Sequence, residues 1–366
     1  MSKRIVIKVG SSTLAASGGG LDVDYARDLV SQVCALIDDG HKPVLVSSGA
    51  IAAGLARLGL AERPTDLPSL QAAAAVGQVA LVELYAELFG ERGVAVGQVL
   101  LTRHDTGHRE SYLHARDTFE RLLELGAVPV VNENDTVAVD EIRFGDNDTL
   151  AALVSTLIGS DLLVVLSDIE GLYDADPRIS AEAQLLSEVA ELTDDLLAAA
   201  GGAGSDVGSG GMATKVEAAR VLMKAGIPMV VCDGRRPGVV ADAAAGLPCG
   251  TVFSAGEDSL GARKTWIALG RRPAGEIVLD DGAVRALVER QASLLPAGIV
   301  GVSGAFVRGD AVVLKDRSGA VVARGLVELS ASEVEQVKGL QTAQIAERFP
   351  ALAGIEVVHR DRLAIL

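Results

Sequence analysis

The chain has 366 residues, enough for two domains or for one large α/β domain with a smaller companion. Hydrophobic residues make up 49% of it and aromatic residues only 3%, so aliphatic side chains must fill a sizeable core. The net charge of -16 excludes a broad nucleic-acid or anionic-membrane surface, and any positive charge offered to an anionic ligand must be local. Only 8 of the 33 basic residues are lysine, so a lysine in a glycine-rich setting is informative. Cys34, Cys232 and Cys249 lack metal-like spacing and read as small buried hydrophobes in a reducing compartment. The apolar run near the N-terminus is too short for a signal peptide, and no run is expected to span a bilayer. The expected location is the cytoplasm, away from membranes.

Ile5 to Val9 is a β-branched run that opens into Gly10-Ser11-Ser12, a buried strand followed by a tight turn. Lys8 sits inside this run, where an unpaired charge is costly. The following N–H and O–H donors suit the same anion that would account for it. No Walker-type phosphate loop is present. Asp24 to Asp39 has helical spacing, and Pro43 to Val46 is a second strand. It ends in Ser47-Ser48-Gly49-Ala50 before a small-residue helix from Ile51, a ligand position typical of the C-terminal edge of an α/β sheet. Leu70 to Gly90 is a long helix and Val94 to Leu101 a strand. His104, His108 and His114 follow without a zinc pattern.

Ala127 to Val131 is a strand leaving through Asn132-Glu133-Asn134-Asp135. Gly145-Asp146-Asn147-Asp148-Thr149 precedes a helix over 150–158, where one Asp or Asn could serve merely as a cap. Leu162 to Leu166, the most apolar strand, ends in Ser167-Asp168 and a loop with Gly171, Tyr173 and Pro177 suited to a base and ribose. Asp206-Val207-Gly208-Ser209-Gly210-Gly211-Met212-Ala213-Thr214-Lys215 then runs into a helix. Glycine N–H groups and a helix N-terminus form an anion site. Lys215 in the first turn opposes the helix dipole, which a bound polyphosphate would explain. Ile227 to Asp233 is one more strand. Residues 1–258 are thus expected to form an open, mostly parallel sheet sandwiched by helices, with ligands along the C-terminal strand ends. Residues 259–275 read as a linker. Residues 276–366, with short strands separated by turns, read as a small β-barrel-like domain with a helix or two.

On I-V-I-K-V-G-S-S, V-S-S-G-A-I-A-A-G, P-V-V-N-E-N-D, G-D-N-D, G-L-Y-D-A-D-P-R and S-G-G-M-A-T-K, in that order, the whole chain resembles the bacterial glutamate 5-kinases. The resemblance implies an amino-acid kinase domain followed by a PUA domain. It implies transfer of a phosphoryl group from ATP, with Mg2+, to the γ-carboxylate of L-glutamate, the first step of proline biosynthesis. It also implies feedback inhibition by proline, a homo-oligomer and hand-over of product to a glutamyl-phosphate reductase. By motif match, Lys8, Lys215 and Asp148 are the catalytic residues, Asp148 orienting the lysines. Ser48, Gly49, Ala50, Asp135 and Asn147 hold glutamate. Lys8, Gly10, Ser11, Ser167, Asp168, Ser209, Gly210, Gly211, Met212, Ala213, Thr214 and Lys215 hold ATP. No residue is assigned as a metal ligand. The γ-carboxylate of glutamate, with a pKa of about 4.3, needs no general base at neutral pH, which suits a chain without a His or Cys catalytic cluster.

Rival readings are another kinase of the same superfamily, an RNA-binding PUA protein and a proline-sensing protein without catalysis. Residues 276–366 carry 10 Lys+Arg against 12 Asp+Glu, which is no phosphate-binding footprint.

Overall fold

The computed structural model describes residues 2–16, 18–102, 109–137, 147–175, 180, 182–193, 196, 211–255 and 273–365. Ser209 and Gly210 of the expected nucleotide site, Gly145 and Asp146 ahead of the expected helix, His104, His108 and residues 259–272 of the expected linker lie outside these. The chain divides into two compact units, the first comprising residues 1–106 and 112–259 and the second residues 107–111 and 260–366.

The first unit is centred on an eight-stranded sheet. Its strands are β1 (Arg4–Val9), β2 (Lys42–Ser47), β3 (Val96–Leu101), β4 (Val128–Glu133), β5 (Leu162–Ser167), β6 (Glu188–Val189), β7 (Met229–Asp233) and β8 (Gly250–Phe253). They lie in the order β3-β4-β2-β1-β5-β7-β8-β6, and every pairing is parallel except β7 with β8. The helices are α1 (Ser11–Leu14), α2 (Val23–Asp38), α3 (Ala50–Leu58), α4 (Leu67–Gly90), α5 (Arg109–Glu124), α6 (Asn147–Ile158), α7 (Met212–Ala225) and α8 (Val239–Ala245). After β1 the chain first builds outward through β2 and later returns to add β5 on the opposite side. β1 is therefore the switch point, where loops diverge and leave a crevice at the C-terminal strand ends.

Alternation along β1 assigns its side chains to two cores. Ile5, Ile7 and Val9 join a cluster with Leu29 and Val33 of α2 and Leu81 and Tyr85 of α4. Val6 joins Val44, Val46, Leu163 and Val165, covered by Ala151 and Val154 of α6 and Val216 and Leu222 of α7. Lys8 points to this second face by the same period of two, so its ammonium group is delivered under α6 and α7. With both faces covered, the central strands are almost wholly buried, which is why they read as continuous apolar runs.

Three boundaries differ from the sequence reading with consequences for the site. β4 continues through Asn132 and Glu133, so these are strand residues held in register with Leu100 and Leu101 rather than loop residues. α6 begins at Asn147, so Asn147 and Asp148 occupy its first turn rather than precede it. Contrary to the expectation of no bilayer-length run, α4 has 24 residues and a mean hydropathy of 1.4 over its most apolar window, long and apolar enough to cross a membrane. Its apolarity has a packing cause: Ala73, Ala74, Gly77, Leu81, Tyr85, Leu88 and Phe89 are buried in the unit.

The crossing of α3 and α4 is unusually close. A Cβ on Gly77 would lie 1.7 Å from the Ala50 carbonyl oxygen, and one on Gly54 would lie 1.8 Å from that of Ala73. The backbones touch, and no side-chain rotation can relieve the overlap. Gly77→Ala is expected to lower stability by about 3 kcal/mol, measured by denaturant unfolding. An unchanged midpoint would mean that the helices can separate freely.

The second unit contains β9 (Gly275–Leu279), β10 (Ile299–Gly304), β11 (Ala311–Lys315), β12 (Val321–Val327) and β13 (Val358–Ile365), in the order β10-β9-β11-β12-β13. β11 runs parallel to β9 and the other pairings are antiparallel. Helices α9 (Asp281–Arg290), α10 (Ala331–Val337) and α11 (Thr342–Arg348) accompany the sheet over a core that includes Ile277, Leu314, Val334 and Val358.

Candidate active site

The parallel sheet brings the ends of β1, β2, β4 and β5 to one edge, together with the first turns of α3, α6 and α7. At the centre, Lys8 Nζ lies 2.6 Å from Asp148 Oδ1, and Lys215 Nζ lies 3.3 Å from Asp148 Oδ2. Thr214 Oγ1 donates to Asp148 Oδ2 at 2.8 Å, with the Gly211 carbonyl oxygen at the same distance from it. Asp148 is fully buried and both lysines are 4% exposed. Burial would push the Asp148 carboxyl up, but the ammonium groups of Lys8 and Lys215 and the Thr214 hydroxyl hold it below the usual carboxylate range. Among the described residues, two cations and one anion leave an excess of one positive charge in a largely desolvated site. That excess is useful only to an anion that comes and goes.

Local structure explains each placement. Asp148 sits in the first turn of α6, where the helix dipole favours a carboxylate. Lys215 sits in the first turn of α7, where the dipole is unfavourable, and Asp148 offsets it. No side chain caps α7 at Gly211, so its first N–H groups are available to a ligand. Met212 and Ala213 continue this turn. Gly10 donates its N–H to the Leu166 carbonyl at 3.4 Å and lies beside the Lys8 ammonium. Ser167, buried at the end of β5, donates to Asp168 Oδ1 at 3.2 Å, and Asp168 is exposed.

A cavity of about 130 Å³ adjoins this centre. Ser11, Ser48, Gly49, Ala50, Asp135 and Asn147 line it, joined by Arg63, Asn132 and Glu133. All five expected acceptor residues therefore face one space. Gly49 has φ 102°, a left-handed conformation that lets the chain turn from β2 into α3, whose first residues Ala50, Ile51 and Ala52 line the cavity. Asn147 Nδ2 lies 2.8 Å from Ser48 Oγ, 3.0 Å from Asn132 Oδ1 and 3.2 Å from the Ser47 carbonyl oxygen. Burial pushes the Asp135 carboxyl up to about 6.

Sequence reasoning did not single out Gln78 or Arg63, and it took Asn132 only as part of a polar cluster. It also gave Thr214 no role toward Asp148. Both oxygens of Asp148 are engaged by lysines and threonine, and among the described residues no group of three or more His, Cys, Asp or Glu could hold a metal. The described donor set does not fit a protein-bound Mg2+.

Residues 3–233 match the amino acid kinase family and residues 275–349 match the PUA domain family. The chain belongs to the amino acid kinase family. It is 46% identical over 363 residues to the glutamate 5-kinase of Caldanaerobacter subterraneus subsp. tengcongensis, covering 99% of this chain and 98% of that one. It is 46% identical over 364 residues to that of Trichlorobacter lovleyi, covering 100% and 97%. Within the amino acid kinases, the chain is therefore a member of the glutamate 5-kinase family. Among solved structures, a UMP kinase from Bacillus anthracis covers 70% of this chain and 97% of its own length at 16% identity and a TM-score of 0.48.

Proposed function

We propose that the protein transfers the γ-phosphoryl group of ATP to the γ-carboxylate of L-glutamate, giving L-glutamyl 5-phosphate and ADP, the first step of proline biosynthesis. The observation that carries this reading is the buried Lys8–Asp148–Lys215 centre beside the small polar cavity. Glutamate brings its own nucleophile already ionised, so the task is to hold two anions together and stabilise the charge that passes between them. Lys8 and Lys215 supply mobile positive charge at the transferring group, and Asp148 keeps both aimed. ATP lies along Gly10, Ser11, Ser167, Asp168 and the α7 N-terminus, with its Mg2+ carried on the phosphates. Ser48 and the α3 N–H groups beside Gly49 and Ala50 receive a carboxylate of glutamate. Asp135 and Asn147 receive its ammonium group.

The test is to incubate protein, MgATP and L-glutamate with hydroxylamine and to measure γ-glutamyl hydroxamate together with ADP. Aspartate, acetylglutamate and UMP serve as competing acceptors. Hydroxamate from glutamate alone is expected. ADP formed with UMP but not with glutamate would overturn the assignment. Proline is proposed as the feedback inhibitor, read as loss of hydroxamate in the same assay. The acyl phosphate product hydrolyses readily, which supports rapid hand-over to a glutamyl-phosphate reductase. A homo-oligomer is proposed, as is a cytoplasmic location, supported by three buried free thiols. The domain boundaries are proposed at 1–258 and 276–366, with 259–275 joining them.

Asp135 makes a pH prediction. Its folded pKa of about 6 lies above the ordinary value of 3.8, so it protonates while the glutamate γ-carboxylate is still ionised. Protonation removes the charge that pairs with the substrate's ammonium group. As pH falls below 6, kcat/KM for glutamate should drop by about tenfold per unit, while the KM for ATP stays level. In Asp135→Asn the profile should be flat across this window and the glutamate KM high throughout. If the ATP KM rises instead, the two substrates have been placed at the wrong ends of the site.

A further inference from the structure

We propose that Gln78, on α4, is a positioning residue that, together with the Ser47 carbonyl oxygen, holds the amides of Asn132 and Asn147 in place so that an oxygen atom faces the ammonium group of the acceptor. The inference rests on the reading of the acceptor cavity given above. Three side chains form the relay. Asn132 Nδ2 donates to Gln78 Oε1 at 2.8 Å, and Asn132 Oδ1 accepts from Asn147 Nδ2 at 3.0 Å. Asn132 and Asn147 are 4% and 7% exposed, so water does not compete freely for these bonds.

A carboxamide has a donor end and an acceptor end, and fixing one end fixes the other. With the Gln78 oxygen toward Asn132, the Asn132 nitrogen must point back to α4 and its oxygen forward to Asn147. The Asn147 nitrogen then faces inward, where the Ser47 carbonyl oxygen also accepts from it at 3.2 Å. The remaining end of Asn147, its oxygen, is left for the cavity that Asn147 lines. The inward nitrogen has two protons for three neighbouring oxygens: Ser47 O, Asn132 Oδ1 and Ser48 Oγ. Two of these can only accept. The Ser48 hydroxyl can also donate, so it is free to turn its proton to a ligand carboxylate. The relay thus presents an acceptor to an ammonium group and a donor to a carboxylate.

Packing alone does not account for a glutamine at position 78. Its Nε2 is buried without a hydrogen-bond partner among the described residues, and an unmade bond of that kind is destabilising. Leucine would fill a similar space without it.

The test compares Gln78→Leu and Gln78→Glu with the parent protein, varying glutamate and ATP separately. The inhibition constant of glutarate, which keeps both carboxylates but lacks the ammonium group, is measured in parallel. Gln78→Leu should raise the glutamate KM about tenfold, with kcat, ATP KM and glutarate inhibition within about twofold of the parent. Gln78→Glu keeps an accepting oxygen and should recover most of the glutamate affinity at pH 8. If Gln78→Leu leaves the glutamate KM unchanged, or weakens glutarate and glutamate equally, the positioning role is overturned. A parent protein that forms no hydroxamate from glutamate would instead overturn the reading of the cavity, before any variant is made.

Discussion

Lys215→Ala is expected to lower kcat about a thousandfold and to leave the protein folded. A loss of that size corresponds to about 4 kcal/mol of transition-state stabilisation, in the range for removing a pre-aimed donor at a site where negative charge moves. The fold survives because of the local charge count. Two ammonium groups share one carboxylate, with Lys8 Nζ at 2.6 Å and Lys215 Nζ at 3.3 Å. Removing Lys215 leaves a neutral Lys8–Asp148 pair, and Thr214 still donates to the carboxylate. The cluster loses the excess positive charge that an incoming phosphoryl group requires, and the Asp148 carboxylate keeps a cationic partner in Lys8. Single-turnover formation of ADP and a thermal unfolding scan check the two halves of the prediction. Normal turnover in the folded variant would remove Lys215 from the mechanism. Lys8→Ala should behave alike, because the same count applies to it.

Asp148→Asn should behave differently, losing stability as well as turnover. The amide takes the shape of the carboxylate but leaves two ammonium groups, each 4% exposed, with no counter-charge between them. Breaking a buried charge arrangement in this direction costs about 3–5 kcal/mol, because the surviving charges remain desolvated. Urea unfolding of the apo protein should show this loss, and added MgATP should restore part of it by supplying negative charge to the lysines. In the parent, the Asp148 contribution follows the depressed pKa of its carboxyl. It is fully present above the ordinary carboxylate pKa of 3.8 and is lost as pH falls through the lower folded value. A variant as stable as the parent would mean that water reaches the lysines and that the site is not desolvated. Stability that falls equally in Lys215→Ala and Asp148→Asn would refute the charge count itself.

Much of the fold was legible because its signals are local. The runs at 5–9, 43–46 and 162–166 are apolar on both faces, and only a strand covered on both sides reads that way. The polar residues following them marked the binding edge, since a buried strand that ends in hydroxyls and amides must put them somewhere useful. Lys8 stood out as a charge inside an apolar run, and Lys215 as a cation on the wrong end of a helix. Other parts were not legible. α8 and β8 carry ordinary short apolar patterns, and nothing in them says that β8 pairs antiparallel with β7 and parallel with β6. The start of α6 was misplaced because Asn147 and Asp148 have low helix propensity, and tertiary contacts from Lys8, Ser48 and Asn132 override it. Gln78 gave one faint signal, an amide close to the alanine run of α4, and nothing nearby in sequence said what it would face.

From the sequence alone came the alternation of strands and helices, the parallel arrangement it enforces, and the residue types able to hold an anion. Period and composition act over a few residues, so they can be read without knowing what lies across the sheet. Tertiary structure alone decided which of these groups meet. Lys8, Asp148 and Lys215 converge because β1 is the switch strand and because α6 and α7 begin over the same face of it. The relay from Gln78 to Asn147 joins α4, β4 and the first turn of α6, three elements that only the packed core brings together. Contacts between groups far apart in the chain depend on strand order and interhelical distance, and these are set by the packing of the whole core rather than by any one segment.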